Sequence, residues 1–456
     1  MTKSSRPLGF TACAAACAVG ALAALPAGAV APHAYASRVD VGNPVAGGNG
    51  YGVVTEKDAL LGSTESEGPV AVGGNLSYGS GYDVSLRTAG TFTAPGDARP
   101  TALLVGGRIA HGADSRAGVL KVLSDGYVKI GDLTGSDVVT KDGDNAAVHT
   151  RVTATGAGHD PTPRVELTAD QPAASVGPAP GLMDFTALFG AYRDRADALA
   201  TCADNVEIVD RGRVTPVAGR TNVLRLTGAE LNRLSELTFL DRPTATGPLV
   251  IDVDTTATGG VLTWDVPDLA GISGADAPYV LWNFADATDI TIDAGDTIEG
   301  TVYAPRAHLT DLDPAGIEGD VIVRSLTAGP LDEADTRAAA GRGGAQRTSR
   351  APANAGEIHY APFAAKLTCG EAPTPTPKDP TPTSTDPTPT EPTPTPTDPT
   401  PTHPEPSEST PVPAPSPTDP GSGLAESGTG VRTYAAATLA VLSTLGGLLL
   451  IRRFRH

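Results

Sequence analysis

Aromatic side chains are scarce in this 456-residue chain: 2 Trp, 10 Tyr and 8 Phe make up 4% of it. A core with so few rings has to be narrow and filled by Val, Ile, Leu and Ala, which excludes a broad aromatic interior. Cations are short too: Lys and Arg number 33 against 52 Asp and Glu, for a net charge of −19. Phosphate binding needs clustered cations, so a nucleic-acid partner is excluded, whereas the acidity suits a soluble surface protein. Two common catalytic signatures are absent, the H-E-x-x-H pair of a zinc protease and the G-x-S-x-G turn of a serine hydrolase. Cysteine is nearly absent as well, with four in all.

What the chain has in quantity is glycine, 53 residues, and proline, 41. Its first residues carry Lys3 and Arg6, an apolar stretch from Phe10 to Leu25, and the small-residue site Ala34-Tyr35-Ala36. This is the pattern of a secretory signal peptide over 1–36, cleaved near Ala36 or earlier at Ala29 or Ala31. No twin arginine precedes the apolar stretch, and no lipobox surrounds Cys13 or Cys17, so general secretion is expected. Export leaves Cys202 and Cys369, which are a candidate disulfide or two separate thiols. A bridge between them closes a loop of roughly 170 residues, for which chain entropy gives about 4 to 5 kcal/mol at most.

From Pro373 to Pro420 the chain is dominated by Pro-Thr repeats such as "TPTSTDPTPTEPTPTPTDPTPT". Proline removes backbone donors and fixes φ, so residues 373–420 are expected to be a disordered, extended stalk. At about 3.1 Å per residue its reach is of order 150 Å, and its threonines are candidates for O-linked sugars. Beyond it, Tyr434 to Ile451 is an apolar run followed by Arg452, Arg453 and Arg455. As a helix this run rises about 27 Å, enough for one transmembrane crossing with a cytoplasmic tail.

The body, 40–366, reads as mainly β. "IEGTVYAP" (Ile298 to Pro305) recurs as "IEGDVIVR" (Ile317 to Arg324) at an offset of 19 residues, the spacing that stacked coils of a β-solenoid produce. "GPVAVGGNLS" (68–77), "TALLVGGRIA" (101–110) and "GYVKIGDL" (126–133) each read as a short strand ending on Gly. Between these halves, Phe185, Leu188, Phe189, Tyr192, Ala196 and Leu199 share one face of a helix that Asp184 can cap. A shorter helix is expected from Thr227, with Glu230 completing a capping box. Trp282 and Phe284 alternate with Asn283, which puts both rings on one buried side of a strand.

"GPVAVGGN", "VLWNFADATDITI", "IEGTVYAPRA", "IEGDVIV" and "GEIHYAPF", in that order, resemble the choice-of-anchor A family of bacterial surface adhesins over nearly the whole body. The resemblance implies an irregular right-handed β-solenoid, patterned like those of ice-binding and adhesin proteins, with a long α-helix packed alongside. Arg306 stands in "YAPRA" where a small polar residue is expected, and "AAAGRGGAQRTSRAPANA" reads as a flexible insertion. Leu424, Ala425, Glu426, Ser427 and Gly428 form "LAESG" just ahead of the apolar run and basic tail. That tripartite order, residues 424–456, resembles a sortase sorting signal, closer to the LAxTG type attributed to class E sortases of high-GC Gram-positive bacteria. The resemblance implies that Leu424 and Ala425 are read by the sortase and that the Ser427–Gly428 bond is cut, attaching the protein to cell-wall peptidoglycan. The alternative is a single-pass plasma-membrane protein with its body outside.

Each chemistry-bearing residue of the body has a structural role that competes with a functional one. Asp286, Asp289, Asp293 and Asp296 are the candidates for a polysaccharide-active enzyme, and their spacing equally fits strand edges and turns. Asp142, Asp144 and Asn145 offer oxygen ligands for calcium but lack the bidentate glutamate of an EF-hand. His111, His149, His159, His308 and His359 show no metal spacing, and His359 is expected to satisfy a local hydrogen bond where the chain closes the fold. Ice binding would need a flat Thr-rich face, and neither "TIDAGDT" nor "HLTDLD" repeats a threonine ladder. The expectation is therefore a non-enzymatic, wall-displayed adhesin or matrix protein needing no cofactor, with an unidentified surface or polymer as ligand. The alternative is a displayed polysaccharide-active enzyme on the same scaffold.

Overall fold

A computed structural model of the chain describes residues 38–111, 118–329 and 355–370. The signal peptide, the insertion before "GEIHYAPF", the Pro-Thr stalk, "LAESG" and the apolar run lie outside the described residues. Among the described residues no helix is long and apolar enough to cross a membrane.

The body is mainly β, and its strands pair mostly in parallel. The strands Val53–Thr55, Val70–Val72, Thr101–Val105 and Tyr127–Ile130 stack as successive rungs, with Val53 opposite Val70, Val70 opposite Leu103 and Leu103 opposite Val128. The glycines that end these rungs stack as well. A Cβ on Gly106 would lie 2.6 Å from the Gly73 carbonyl oxygen, and one on Gly131 only 2.0 Å from that of Gly106. The recurring "V-G-G" is thus a requirement for close backbone approach where each of these strands ends. Helix α1 (Ala173–Val176) covers the last of these rungs. There Lys129 bonds to the Ser175 carbonyl and pairs with Asp97 at 2.7 Å, with both charged side chains under a tenth exposed.

Helix α2 (Phe185–Ala200) then carries the chain back, its first turn capped by Asp184, which accepts from the Ala187 amide at 3.0 Å. A second run of rungs follows: Asn222–Thr227, Leu249–Asp254, Val280–Asn283, Thr301–Asp311 and Val321–Ala328. The last of these pairs in parallel with Val53–Thr55, so the first rung of the chain lies in the middle of the stack and the two halves meet there. Spatial order is therefore not chain order. The echo itself is in register, with Ile298 opposite Ile317 and Val302 opposite Val321.

Two further ladders share this body. One runs Val261–Val266, Asp289–Gly295, the second half of Thr301–Asp311, the second half of Val321–Ala328, Ala59–Leu61 and Leu76–Tyr78, all parallel. The other has nine strands, from the hairpin Ser136–Lys141/Ala147–Ala154 at one end to Ile298–Glu299 at the other. Inward side chains of all three ladders form one apolar interior of mostly Val, Ile, Leu and Ala. Three of its aromatic rings cluster where Trp264 meets Trp282 and Phe284, with centroids 5.1 and 5.2 Å apart.

A second apolar layer lies on the outer side of the first ladder. Phe189, Tyr192, Ala196 and Leu199 of α2 pack on Val54, Ala71, Leu104, Val250, Leu281 and Tyr303, as the helical periodicity predicts. Trp282 and Phe284 face inward as expected, while Asn283 is buried beneath α2, donating to the Ala196 carbonyl at 3.1 Å and to Asp252 at 2.6 Å. Arg306 gains its explanation here. Its guanidinium makes a two-pronged contact with Asp197 of α2, at 2.9 and 2.8 Å, and donates to the Ala285 carbonyl, fastening the helix to the ladder. The second predicted helix is a single turn, α3 (Gly228–Leu231), with the Thr227–Glu230 capping box present. Cys202, just after α2, is joined by a disulfide to Cys369 in the closing strand Leu367–Cys369, their Cα atoms 5.6 Å apart.

The ends of parallel ladders expose unpaired backbone groups, and here side-chain amides cap them. The amide of Gln171 accepts from the Val128 N–H and donates to its carbonyl, each at 2.8 Å. Asn205 does the same at the opposite end of the first ladder, its backbone N–H donating to the Val223 carbonyl and its side-chain oxygen accepting from the Val223 N–H. Asn232 caps the strand Val261–Val266, donating to the Thr263 carbonyl and accepting from the Asp265 N–H.

Candidate functional site

Among the described residues no helix covers the outer side of the ladder that begins at Val261–Val266, and its side chains alternate with the period of a strand. Leu262, Trp264, Ile290, Ile292, Leu309 and Leu326 point into the core. On the outer side, Thr263 is opposite Thr291, Thr291 opposite Thr310, Thr310 opposite Thr327, Thr327 opposite Leu60 and Leu60 opposite Ser77. Four threonines thus stand in one column across four neighbouring strands, continued by a Leu and a Ser. At the usual strand separation the four hydroxyls span about 14 Å. β-Branched Thr suits these pleated positions, and cross-strand Thr pairs reinforce the ladder.

This ladder corrects the expectation that no threonine column exists. Each position follows Leu or Ile, as Leu262-Thr263, Ile290-Thr291, Leu309-Thr310 and Leu326-Thr327, but the spacings are 28, 19 and 17 residues. Loops of unequal length hide the column from any fixed period. The recurring apolar-Thr dipeptide was the signal that could have found it.

A second column beside the threonines reads Val261, Asp289, His308 and Ser325. Val261 is half exposed. His308 contacts the Ser325 hydroxyl through Nδ1 at 2.8 Å and the Thr327 hydroxyl through Nε2 at 3.5 Å. Burial holds its pKa below the ordinary histidine value, with Asp289 opposing and Arg324 adding to the shift, so the ring is neutral at neutral pH. Although Asp, His and Ser stand in a row, Thr327 occupies the ring nitrogen that a nucleophile relay would give to the carboxylate.

The four aspartates weighed as catalytic candidates are not brought together. Asp289 lies on the outer side of Asp289–Gly295 and Asp293 follows four residues on, unpaired at the bulge between the pairings Ile292–Trp264 and Ala294–Asp265, so about 12 Å of strand separates them, beyond the range of a glycosidase pair. Asp286 accepts from the amide and hydroxyl of Thr255. Asp296 accepts from the Thr297 amide and lies beside Asp268, whose pKa is raised by burial and by the hydrogen bond it shares with Asp296. These are the strand-edge and turn roles.

The calcium candidates form the hairpin turn between Ser136–Lys141 and Ala147–Ala154. Asp142 Oδ1 accepts the amides of Asp144 and Ala146, and Asn145 Oδ1 takes the Lys141 ammonium at 3.0 Å. Asp142 and Asn145 thus use side-chain oxygens to hold the turn, and the Lys141 ammonium stands beside them. Among the described residues no group of three or more His, Cys, Asp or Glu is arranged to hold a metal. His359 lies between Glu67 at 3.2 Å and Glu357 at 3.4 Å, where the segment after residue 354 rejoins the nine-stranded ladder. His111 contacts Ser136, His149 contacts Asp170, and His159 contacts Asp160 and Arg151.

A family model described as "Putative Ice-binding-like adhesive domain" matches residues 44–332. Among solved structures, the chain is similar to an ice-binding protein from an Antarctic Biological Consortium at 13% identity, covering 73% of this chain and 95% of that one with a TM-score of 0.26. It is also similar to an ice-binding protein from the Antarctic ascomycete Antarctomyces psychrotrophicus at 14% identity, covering 63% and 94% with a TM-score of 0.24. No curated protein matches the chain.

Proposed function

The chain belongs to the ice-binding-like adhesive domain family, and from that premise we propose that it is a non-enzymatic adhesin that binds an extended hydroxyl-rich surface, a polysaccharide, through its threonine-bearing ladder. The observation that carries this reading is the in-register column Thr263, Thr291, Thr310 and Thr327 on an uncovered ladder. A flat array of hydroxyls and methyls at strand spacing makes many weak, repeated contacts, each worth little and together selective for a surface with matching repeat. Asp289, His308 and Ser325 alongside add acceptors and donors suited to sugar hydroxyls. Binding of the purified secreted protein to insoluble glycans, without release of soluble sugars, is the expected result; sugar release would favour the enzyme instead.

A second reading, ice as the surface, is favoured by the regularity of the same column and by the neutral state of His308. Retention on an ice surface, with no retention on any insoluble glycan, would select it.

We read the three ladders as coils of an irregular β-solenoid, with α2 alongside. The display system rests on the sequence: a signal peptide over 1–36, the choice-of-anchor A-like motifs, the stalk 373–420, and Leu424 to Gly428 as substrate of a class E sortase that joins the chain to peptidoglycan. In this arrangement the apolar run holds the chain only until cleavage between Ser427 and Gly428. Mass spectrometry of wall-released protein tests it, since a chain still ending at His456 would mean that the transmembrane segment is retained.

A further inference from the structure

The ladder ends are treated unequally. Gln171, Asn205 and Asn232 cap the two ends of the first ladder and one end of the threonine ladder with side-chain amides. The other end of the threonine ladder is met by residues 108–110, Leu76 bonding through both its N–H and its carbonyl. The nine-stranded ladder ends instead on Ser136–Lys141, a six-residue strand that among the described residues is paired on one side only, with Ala147–Ala154. Among the described residues no amide side chain bonds to its outer edge. Such an edge is a template for another strand.

The sequence of this edge is self-complementary. In Ser136-Asp137-Val138-Val139-Thr140-Lys141, the residues Asp137, Val139 and Lys141 share one side of the strand. An antiparallel twofold pairing centred on Val139 sets Val139 against its own copy, Asp137 of each chain against Lys141 of the other, and Val138 against Thr140. A shift of two residues either way loses both charge pairs. The two charges are available for it: Lys141 is exposed and, among the described residues, its ammonium contacts the neutral Asn145 amide and no carboxylate, while Asp137 uses Oδ2 to accept from the Gly156 amide. We propose that the outer edge of Ser136–Lys141 is a homophilic docking strand, through which two copies of this chain pair antiparallel and join their nine-stranded ladders into one sheet. Pairing through a six-residue edge buries far less than the roughly 1,000 Å² of a stable complex, so the pairing is weak and acts where chains are crowded, as on a surface.

The test is sedimentation of the secreted protein from micromolar to millimolar concentration. The unsubstituted chain moves toward twice its mass as concentration rises. Asp137→Lys and Lys141→Asp each turn two attractive pairs into two repulsive ones and weaken self-association on the order of tenfold. An equimolar mixture of the two variants restores it, because each then meets its complement. A chain that stays monomeric throughout, variants that dimerise as well as the parent, or a mixture no better than its components would each overturn the proposal. Because Asp137→Lys also removes the Gly156 bond, hydrogen exchange of the unsubstituted protein is a second measurement. Amides of Ser136–Lys141 should gain protection with concentration, and constant protection would overturn the pairing.

Discussion

Asp311 lies on the inward side of the strand Thr301–Asp311, in register with Ile292 on one neighbour and Ala328 on the other, and is 1% exposed. One of its oxygens accepts from the Asp313 amide and the other has no hydrogen-bond partner among the described residues. Burial in this apolar setting raises its pKa to about 8, so the folded chain keeps it protonated at neutral pH, whereas the unfolded chain ionises it near 4. Between those values the folded state binds the extra proton, and stability falls as pH rises. The contribution is fully present below the unfolded pKa and is lost as pH climbs through the folded one. One such group gives a slope of about 1.4 kcal/mol per pH unit, or roughly 3 kcal/mol between pH 5 and pH 7. Asp320 and Glu299, each raised to about 7 by burial, act in the same direction. Urea unfolding at a series of pH values therefore shows a protein most stable in mild acid. Asp311→Asn, which keeps an acceptor for Asp313 but cannot ionise, flattens the slope by about one proton. Equal slopes for parent and variant, or stability that rises from pH 5 to pH 8, would refute the reasoning.

Replacing both Cys202 and Cys369 by Ser opens a loop of 167 residues, and a loss of up to about 4 to 5 kcal/mol is expected in denaturant titration under oxidising conditions, with no difference once the parent is reduced. Gly131→Ala drives a methyl to 2.0 Å from the Gly106 carbonyl, backbone against backbone, so this variant should fail to accumulate as soluble protein, while Gly135→Ala, with open space around its Cβ, should cost only the modest strain of its positive φ. Arg306→Ala removes a partly exposed two-pronged pair and should lower stability by only about 1 kcal/mol, read as increased exchange of α2 amides rather than global unfolding.

Local features were legible because local physics sets them. The rungs at 70–72, 101–105 and 127–130, the α2 face with its Asp184 cap, and the Thr227–Glu230 box all appear in short windows of sequence. The meeting of Val53–Thr55 with Val321–Ala328 was not, since no local pattern links segments some 270 residues apart. The partner of Arg306 lies 109 residues away on α2, so the residue reads as an anomaly until the two are side by side. The threonine column failed for a related reason. Rung-to-rung loops of differing length keep each threonine in register in space while scattering them in sequence, and a search for equal spacing passes over them.

The central claim is that the uncovered threonine ladder is the binding surface, and blocking it tests that directly. The double variant Thr291→Tyr and Thr310→Tyr puts two bulky rings in the middle of the column, whereas Thr186→Tyr, at an exposed position on α2, leaves the ladder untouched. Retention of the three proteins is measured on the surface that the unsubstituted chain binds, with melting temperature checked for each. The account predicts near-complete loss of retention for the ladder variant and parental retention for the helix variant. Parental retention by a folded ladder variant would contradict it.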